Sequence, residues 1–180
     1  LNKVEFKQAE KHAPIELIKN GVPQFALVAD LHKERGSERG RSLLLAVNEW
    51  KLAIKKGTGK DLEVFRSSQI PEAKKKYPYL VVFGENDYSK KLIDFTTLKS
   101  EGFEVVTTPD GIVIAGRDSS VDPDFNKDPL DKKGYVRATL YGAYVVMERI
   151  FGVRYYMPGT GCIFPELKNI TVTPMRYTDY

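Results

Sequence analysis

An α+β fold, a mixed β-sheet of about five to seven strands with two long helices packed on one face, follows from three observations. The runs Phe25–Ala29 and Tyr79–Gly84 are almost continuously apolar, as strands covered on both faces are. Two longer stretches, residues 37–56 and 134–151, repeat apolar residues at helical spacing. Phe103–Thr108 and Ile112–Gly116 are joined only by Pro109-Asp110-Gly111, too short a link for a crossover, so these strands run antiparallel and the sheet is mixed. The 180 residues suit a single domain and are too few for a (β/α)₈ barrel, which typically takes about 250.

The elements follow in order. Residues 8–30 hold a β-hairpin: Ile15–Lys19 and Gln24–Ala29 flank Asn20-Gly21, the pair that favours a type I′ turn. Pro23 cannot donate to a ladder and belongs at a strand edge or start. After the polar loop Leu31–Gly40, a helix runs from Ser37 or Ser42 to Lys56, with Leu43, Val47, Trp50 and Ile54 on one face. Lys55 and Lys56 suit the end of its dipole, and Gly57 stands where a left-handed residue would end it. A short strand, Leu62–Phe65, completes a βαβ unit. Lys74-Lys75-Lys76, beside Pro71, Tyr77 and Pro78, reads as a solvated loop before Tyr79–Gly84.

A weaker helix is expected over Tyr88–Lys99, and a long polar loop over Arg117–Lys133. In the second long helix Tyr135, Leu140, Tyr144, Met147 and Phe151 share a side, while Ala138, Gly142 and Ala143 permit close approach to a sheet. Gly152 ends it. A strand Val153–Met157, a turn at Pro158-Gly159-Thr160-Gly161 and a last β segment, Ile170–Thr173, follow.

Charge and composition exclude several classes. The 28 basic and 24 acidic residues leave a net +4, scattered rather than gathered in the stripe a nucleic-acid partner needs. No apolar run approaches the 18 residues of a membrane span, and Leu1 opens a polar stretch without a signal-peptide pattern. The single cysteine, Cys162, permits no internal disulfide.

Motif by motif, no complete catalytic or cofactor signature emerges. Gly57-Thr58-Gly59-Lys60 resembles a phosphate loop, but the required first glycine is Ile54 and Lys60 is followed by Asp61. His12 and His32 belong to no zinc-protease pattern, and no Gly-x-Ser-x-Gly elbow is present. Asp122, Asp124, Asn126 and Asp128 alternate like the first half of a calcium loop. Lys127 stands where that loop needs Gly and Lys133 where it needs a bidentate Glu, so a solvated acidic loop is the reading and calcium its alternative. No cofactor is expected. Asp30, Glu85 and Asp87 each follow a buried strand. If those strands are parallel neighbours, the acids gather at one sheet edge, where α/β sheets often bind ligands and where a carboxylate pair could hydrolyse a glycoside. Helix capping and loop formation are the competing roles.

The most specific segment is Ala138–Pro165. It resembles the N-terminal domain of family-67 α-glucuronidases and of related bacterial glycoside hydrolases, in which a helix reading Gly-Thr-Leu-Tyr-Ala-x-Tyr-x-x-Leu-Glu runs into Leu-Gly-Val-Arg-Trp-x-x-Pro-Gly. Glu148, Gly152, Val153 and Arg154 keep that core; Ala138 replaces its leading Gly, Met147 its Leu and Tyr155 its Trp. Ile15–Ala29, Val81–Gly84 and Gly111–Gly116 agree in style and order.

The resemblance implies a fold similar to the second domain of family-20 β-hexosaminidases. It also implies an accessory role, packed against a (β/α)₈ barrel that carries the catalytic carboxylates, in an exported or cell-surface bacterial protein. No catalytic residue transfers to this chain. Arg154, Tyr155, Tyr156, Met157 and Pro158 are the interface candidates, because aromatic and Arg side chains are enriched at interfaces. One of Tyr155 and Tyr156 is expected to fill the domain's own core. The alternatives are a carbohydrate-binding module, for which ten Tyr, nine Phe and one Trp supply stacking surface, and a small hydrolase using the strand-end acids.

Overall fold

The computed structural model describes residues 4–31, 38–118, 137–156 and 161–179. In chain order its elements are β1 (Glu5–Phe6), β2 (Ile15–Lys19), β3 (Val22–Pro23), β4 (Phe25–Val28), α1 (Glu38–Thr58), β5 (Val64–Phe65), α2 (Ile70–Lys76), β6 (Tyr79–Phe83), β7 (Phe103–Thr108) and β8 (Gly111–Gly116). Then come α3 (Ala138–Val146), which continues as a π-turn over Met147–Phe151, and β9 (Arg154–Tyr155), β10 (Cys162–Ile163), β11 (Ile170–Val172) and β12 (Arg176–Asp179).

Seven strands form one mixed sheet in the order β1-β12-β7-β8-β6-β4-β5, so the expected α+β class holds. β5, β4, β6 and β8 are parallel; β7 and β12 are antiparallel to their neighbours. The chain steps from β4 outward to β5, then back past β4 to β6. Right-handed crossovers in opposite directions place their helices on opposite faces. The core divides accordingly, by the two-residue period of a strand. Phe25, Leu27, Val81 and Phe83 pack with Val47 and Trp50 of α1 and Ala143 and Met147 of α3. Ala26, Val28, Leu80 and Val82 pack with Ile70 and Ala73 of α2 and with Ile93 and Leu98. The two long helices share one face, and α2 with short 3₁₀ turns covers the other.

Several expectations are corrected. The type I′ turn forms, with Asn20 and Gly21 at φ +49° and +74°, but it joins β2 to β3 rather than to residues 24–29. The chain leaves that small sheet (order β11-β2-β3) at Gln24 and enters the large one as β4. Pro23 does lie on an edge strand. Gly57 does not end α1, which runs on to Thr58; the left-handed residue is Gly59, at φ +73°. Gly57 serves close approach instead, since a Cβ there would lie 2.6 Å from Leu167 Cγ.

Lys74–Lys76 form the last turn of α2, because Pro71 sits at the position that starts a helix well. Residues 88–99 are not a helix but two 3₁₀ turns, Ser89–Lys91 and Phe95–Thr97. Asp94 turns the chain between them by accepting from Thr96 N (3.0 Å) and Oγ1 (2.6 Å). The second long helix is described from Ala138, with Arg137 non-helical before it, and the expected start at 134 lies outside the described residues. A strand beyond residue 173, β12, pairs with β7 and β1. No helix among the described residues is long and apolar enough to cross a membrane.

Candidate docking surface

The strand-end acids do sit at one edge, since β4 and β6 are parallel neighbours with Val28 opposite Val82. This is also the point where the connections from adjacent strands diverge. Two cavities open beside the acids, one of about 520 Å³ lined by Glu85, Lys90, Lys91 and Arg176, the other of about 430 Å³ lined by Ala29, Leu31, Phe65 and Arg66. Leu43 of α1 packs over Gly84 so closely that a Cβ on Gly84 would lie 2.7 Å from its Cδ2. The buried Asn86 accepts from Tyr88 N and Ser89 N, both at 3.0 Å, and Ser89 Oγ donates to Gly84 O at 2.8 Å. Asp30 accepts from Ser67 N (2.8 Å) and Ser67 Oγ (2.7 Å), holding the 3₁₀ turn after β5. Glu85 pairs with Lys90 at 3.1 Å, and Asp87 is exposed.

These are the contacts of loop-forming residues. Asp30→Ala is accordingly expected to cost about 1 kcal/mol of stability, the usual cost of a lost cap, measurable as a lowered urea midpoint. A loss below a few tenths of a kcal/mol would show that Asp30 has no such role.

A second open surface lies on the outer side of the two-helix layer. Trp50 Nε1 donates to Ala143 O at 3.2 Å and ties α1 to α3. Their sequence neighbours, Glu49 and Tyr144, consequently lie on the outer rim of that junction. Leu45, Glu49 and Leu52 recur at the four- and three-residue spacing of one helix face, and both leucines are exposed. The β9–β10 hairpin lies alongside, with Tyr155 opposite Cys162. Tyr155 meets Tyr144 edge to face, ring centroids 4.9 Å apart at 81°, and its hydroxyl approaches Met147 Sδ at 3.7 Å. Burial, then the charge of Glu49, push both phenols above the ordinary tyrosine range. Burial raises the Glu49 carboxyl as well.

The interface candidates are placed unevenly. Tyr155 is 37% exposed and Tyr156 52%. Neither fills the core, which corrects the expectation that one of them would. Val153 takes that position, at 1% exposure. Arg154 folds back, its guanidinium donating to Glu148 Oε1 and Glu148 O, both at 3.2 Å. Met157 and Pro158 lie outside the described residues, as do His32 and the calcium candidates Asp122, Asp124, Asn126 and Asp128. No group of three or more His, Cys, Asp or Glu residues among those described is placed to hold a metal. His12 is engaged with Ala13 O and with Thr107 Oγ1 at 3.0 Å.

Sequence reasoning missed Glu49 and Tyr141. The available signal was an acid framed by leucines on the polar side of a helix, a pattern that ordinarily means a solvated face. No protein-family model matches the chain, and no curated protein matches it.

Proposed function

We propose that this chain is a non-catalytic N-terminal accessory domain of a carbohydrate-active enzyme, packing against a (β/α)₈ glycoside hydrolase barrel in an exported or cell-surface bacterial protein. The resemblance of Ala138–Pro165 to the domain that precedes such barrels motivates the reading. The observation that carries it is the exposed apolar surface around Tyr155. Tyr141 of α3 and Tyr155 of the hairpin are 40% and 37% exposed, on the side of exposed Leu45 and Leu52 of α1, while Tyr156 and Ile163, also exposed, lie on the hairpin's other face. Exposed aromatic and leucine side chains grouped in this way on a folded domain mark an interaction site. The strand-end acids support the same reading, because their partners hold loops.

The exposed tyrosines also suit stacking on a sugar ring, which keeps a carbohydrate-binding module as the second reading. The natural gene read past the Tyr180 codon is the test. A barrel with alternating strands and helices is expected, together with no turnover of aryl-glycosides by the 180-residue chain alone. A reading frame that ends without a barrel, or turnover at enzyme-like rates by this chain, overturns the proposal. Clear binding on a glycan array by the isolated chain moves the reading to the carbohydrate-binding module.

A further inference from the structure

The exposed face carries one group that no described residue matches. Glu49 is half-buried, yet its carboxylate makes no ion pair or hydrogen bond to any described residue. Other carboxylates removed from water are matched: Glu104 by Lys7 and Arg176, Asp118 by Thr139, Asp179 by Arg149, Glu85 by Lys90. Around Glu49 stand the Tyr144 and Tyr155 phenols, which its charge reaches, and the exposed Leu45 and Leu52. An anionic oxygen beside aromatic rings with an apolar rim is complementary to one chemistry, a flat delocalised cation. The guanidinium group pairs with carboxylate through its N–H groups, stacks on aromatic faces and sheds water more readily than an ammonium. Arg154, the nearby arginine of the hairpin, is already spent on Glu148.

We infer that Glu49, Tyr144 and Tyr155 form a receiving site for an arginine side chain presented by the domain that docks on this face. The inference rests on the docking reading and supplies its anchor chemistry. Buried charge pairs of this kind fix register and exclude wrong partners more than they add raw affinity.

Glu49 has a stability signature of its own. Burial raises its folded-state pKa above the unfolded value, so its contribution is fully present below the unfolded pKa and is lost as pH rises through the folded one. At neutral pH the unmatched charge is therefore a net cost to the isolated chain. E49Q is expected to leave the melting temperature unchanged or slightly raised.

The test is an NMR titration of the labelled 180-residue chain with butylguanidinium, its neutral isostere butylurea, and tetramethylammonium. Butylguanidinium at millimolar concentration is expected to shift the Tyr144 and Tyr155 ring and Glu49 side-chain resonances. E49Q is expected to weaken it about fivefold or more, and Y155L, which keeps bulk but removes the ring, by about threefold. Equal shifts with butylurea, or undiminished binding in folded E49Q, overturn the inference. Tighter binding of tetramethylammonium than of butylguanidinium also overturns it, in favour of a small quaternary ammonium ligand. None of these readouts depends on whether a barrel follows Tyr180, so failure here leaves the accessory-domain reading standing and the converse also holds.

Discussion

Trp50→Ala is expected to lower the unfolding free energy by roughly 3–5 kcal/mol, the range for deleting a large aromatic from a packed core. Trp50 is 0% exposed and sits where α1, the sheet and the end of the second long helix converge. Its ring meets Phe25, Phe83 and Phe151 edge to face, at centroid distances of 6.2, 5.3 and 5.1 Å. Such pairs contribute about 0.5–1.5 kcal/mol each beyond their buried area. The three phenylalanines come from two strands and a π-turn, so a cavity here cannot close by moving one element.

Against a total of about 5–15 kcal/mol for a domain, the change removes a large share. The readout is the urea midpoint at unchanged slope; a shift worth less than about 1 kcal/mol would mean that the site collapses to fill itself. Trp50→Phe separates the hydrogen bond from the ring. Ala143 O also accepts from the Met147 N–H, at the point where α3 widens into its π-turn. The indole N–H is thus a second donor, and its loss is expected to cost at the low end of about 0.5–1.5 kcal/mol.

The same residue shows what the sequence makes legible. Trp50 falls on the face set by Leu43, Val47 and Ile54, and that periodicity locates α1 and its buried side because burial itself imposes it. β4 and β6 are equally plain, since a strand covered on both faces has no polar alternation to confuse the reading. β12 was not legible: Arg176-Tyr177-Thr178-Asp179 has no strand pattern of its own, and its place depends on pairing with β7, whose Glu104 receives Arg176 Nε at 2.6 Å. Residues 88–99 read as a helix because Tyr88, Leu92 and Phe95 stand at four- and three-residue spacing. Asn86, Ser89 and Asp94 spend their side chains on local backbone N–H groups and divide the segment into turns. Helical period sorts residues into inward and outward but cannot show which outward residues face another element. Glu49 therefore looks like any solvated acid until α3 and the hairpin are placed beside it.

Gly142→Leu is expected to destabilise the chain by roughly 3 kcal/mol, the upper part of the range for overpacking a filled core. Leucine is among the better helix formers, so the substitution adds no propensity cost to confuse the result. The cost comes from the approach of α3 to the sheet. A Cβ on Gly142 would lie 2.8 Å from both Ile114 Cγ2 and Phe103 Cδ2, on the inner strands β8 and β7. Neither strand can yield, because each is paired on both sides. The helix must lift or tilt, and Tyr144, two residues on, moves with it. Tyr155 rests on Tyr144, so the platform beside Glu49 loses its height above α1. Two readouts are expected to change together: the urea midpoint falls, and the shift of the Tyr155 ring on adding butylguanidinium shrinks. Gly142→Ala, with a single methyl, is expected to produce the same pair of changes in smaller measure. If Gly142→Leu were folded at parental stability with an unmoved Tyr144, the close seat of α3 would not be what sets that surface. A lowered midpoint with full cation binding would instead show that the tyrosines keep their positions independently of the helix beneath them.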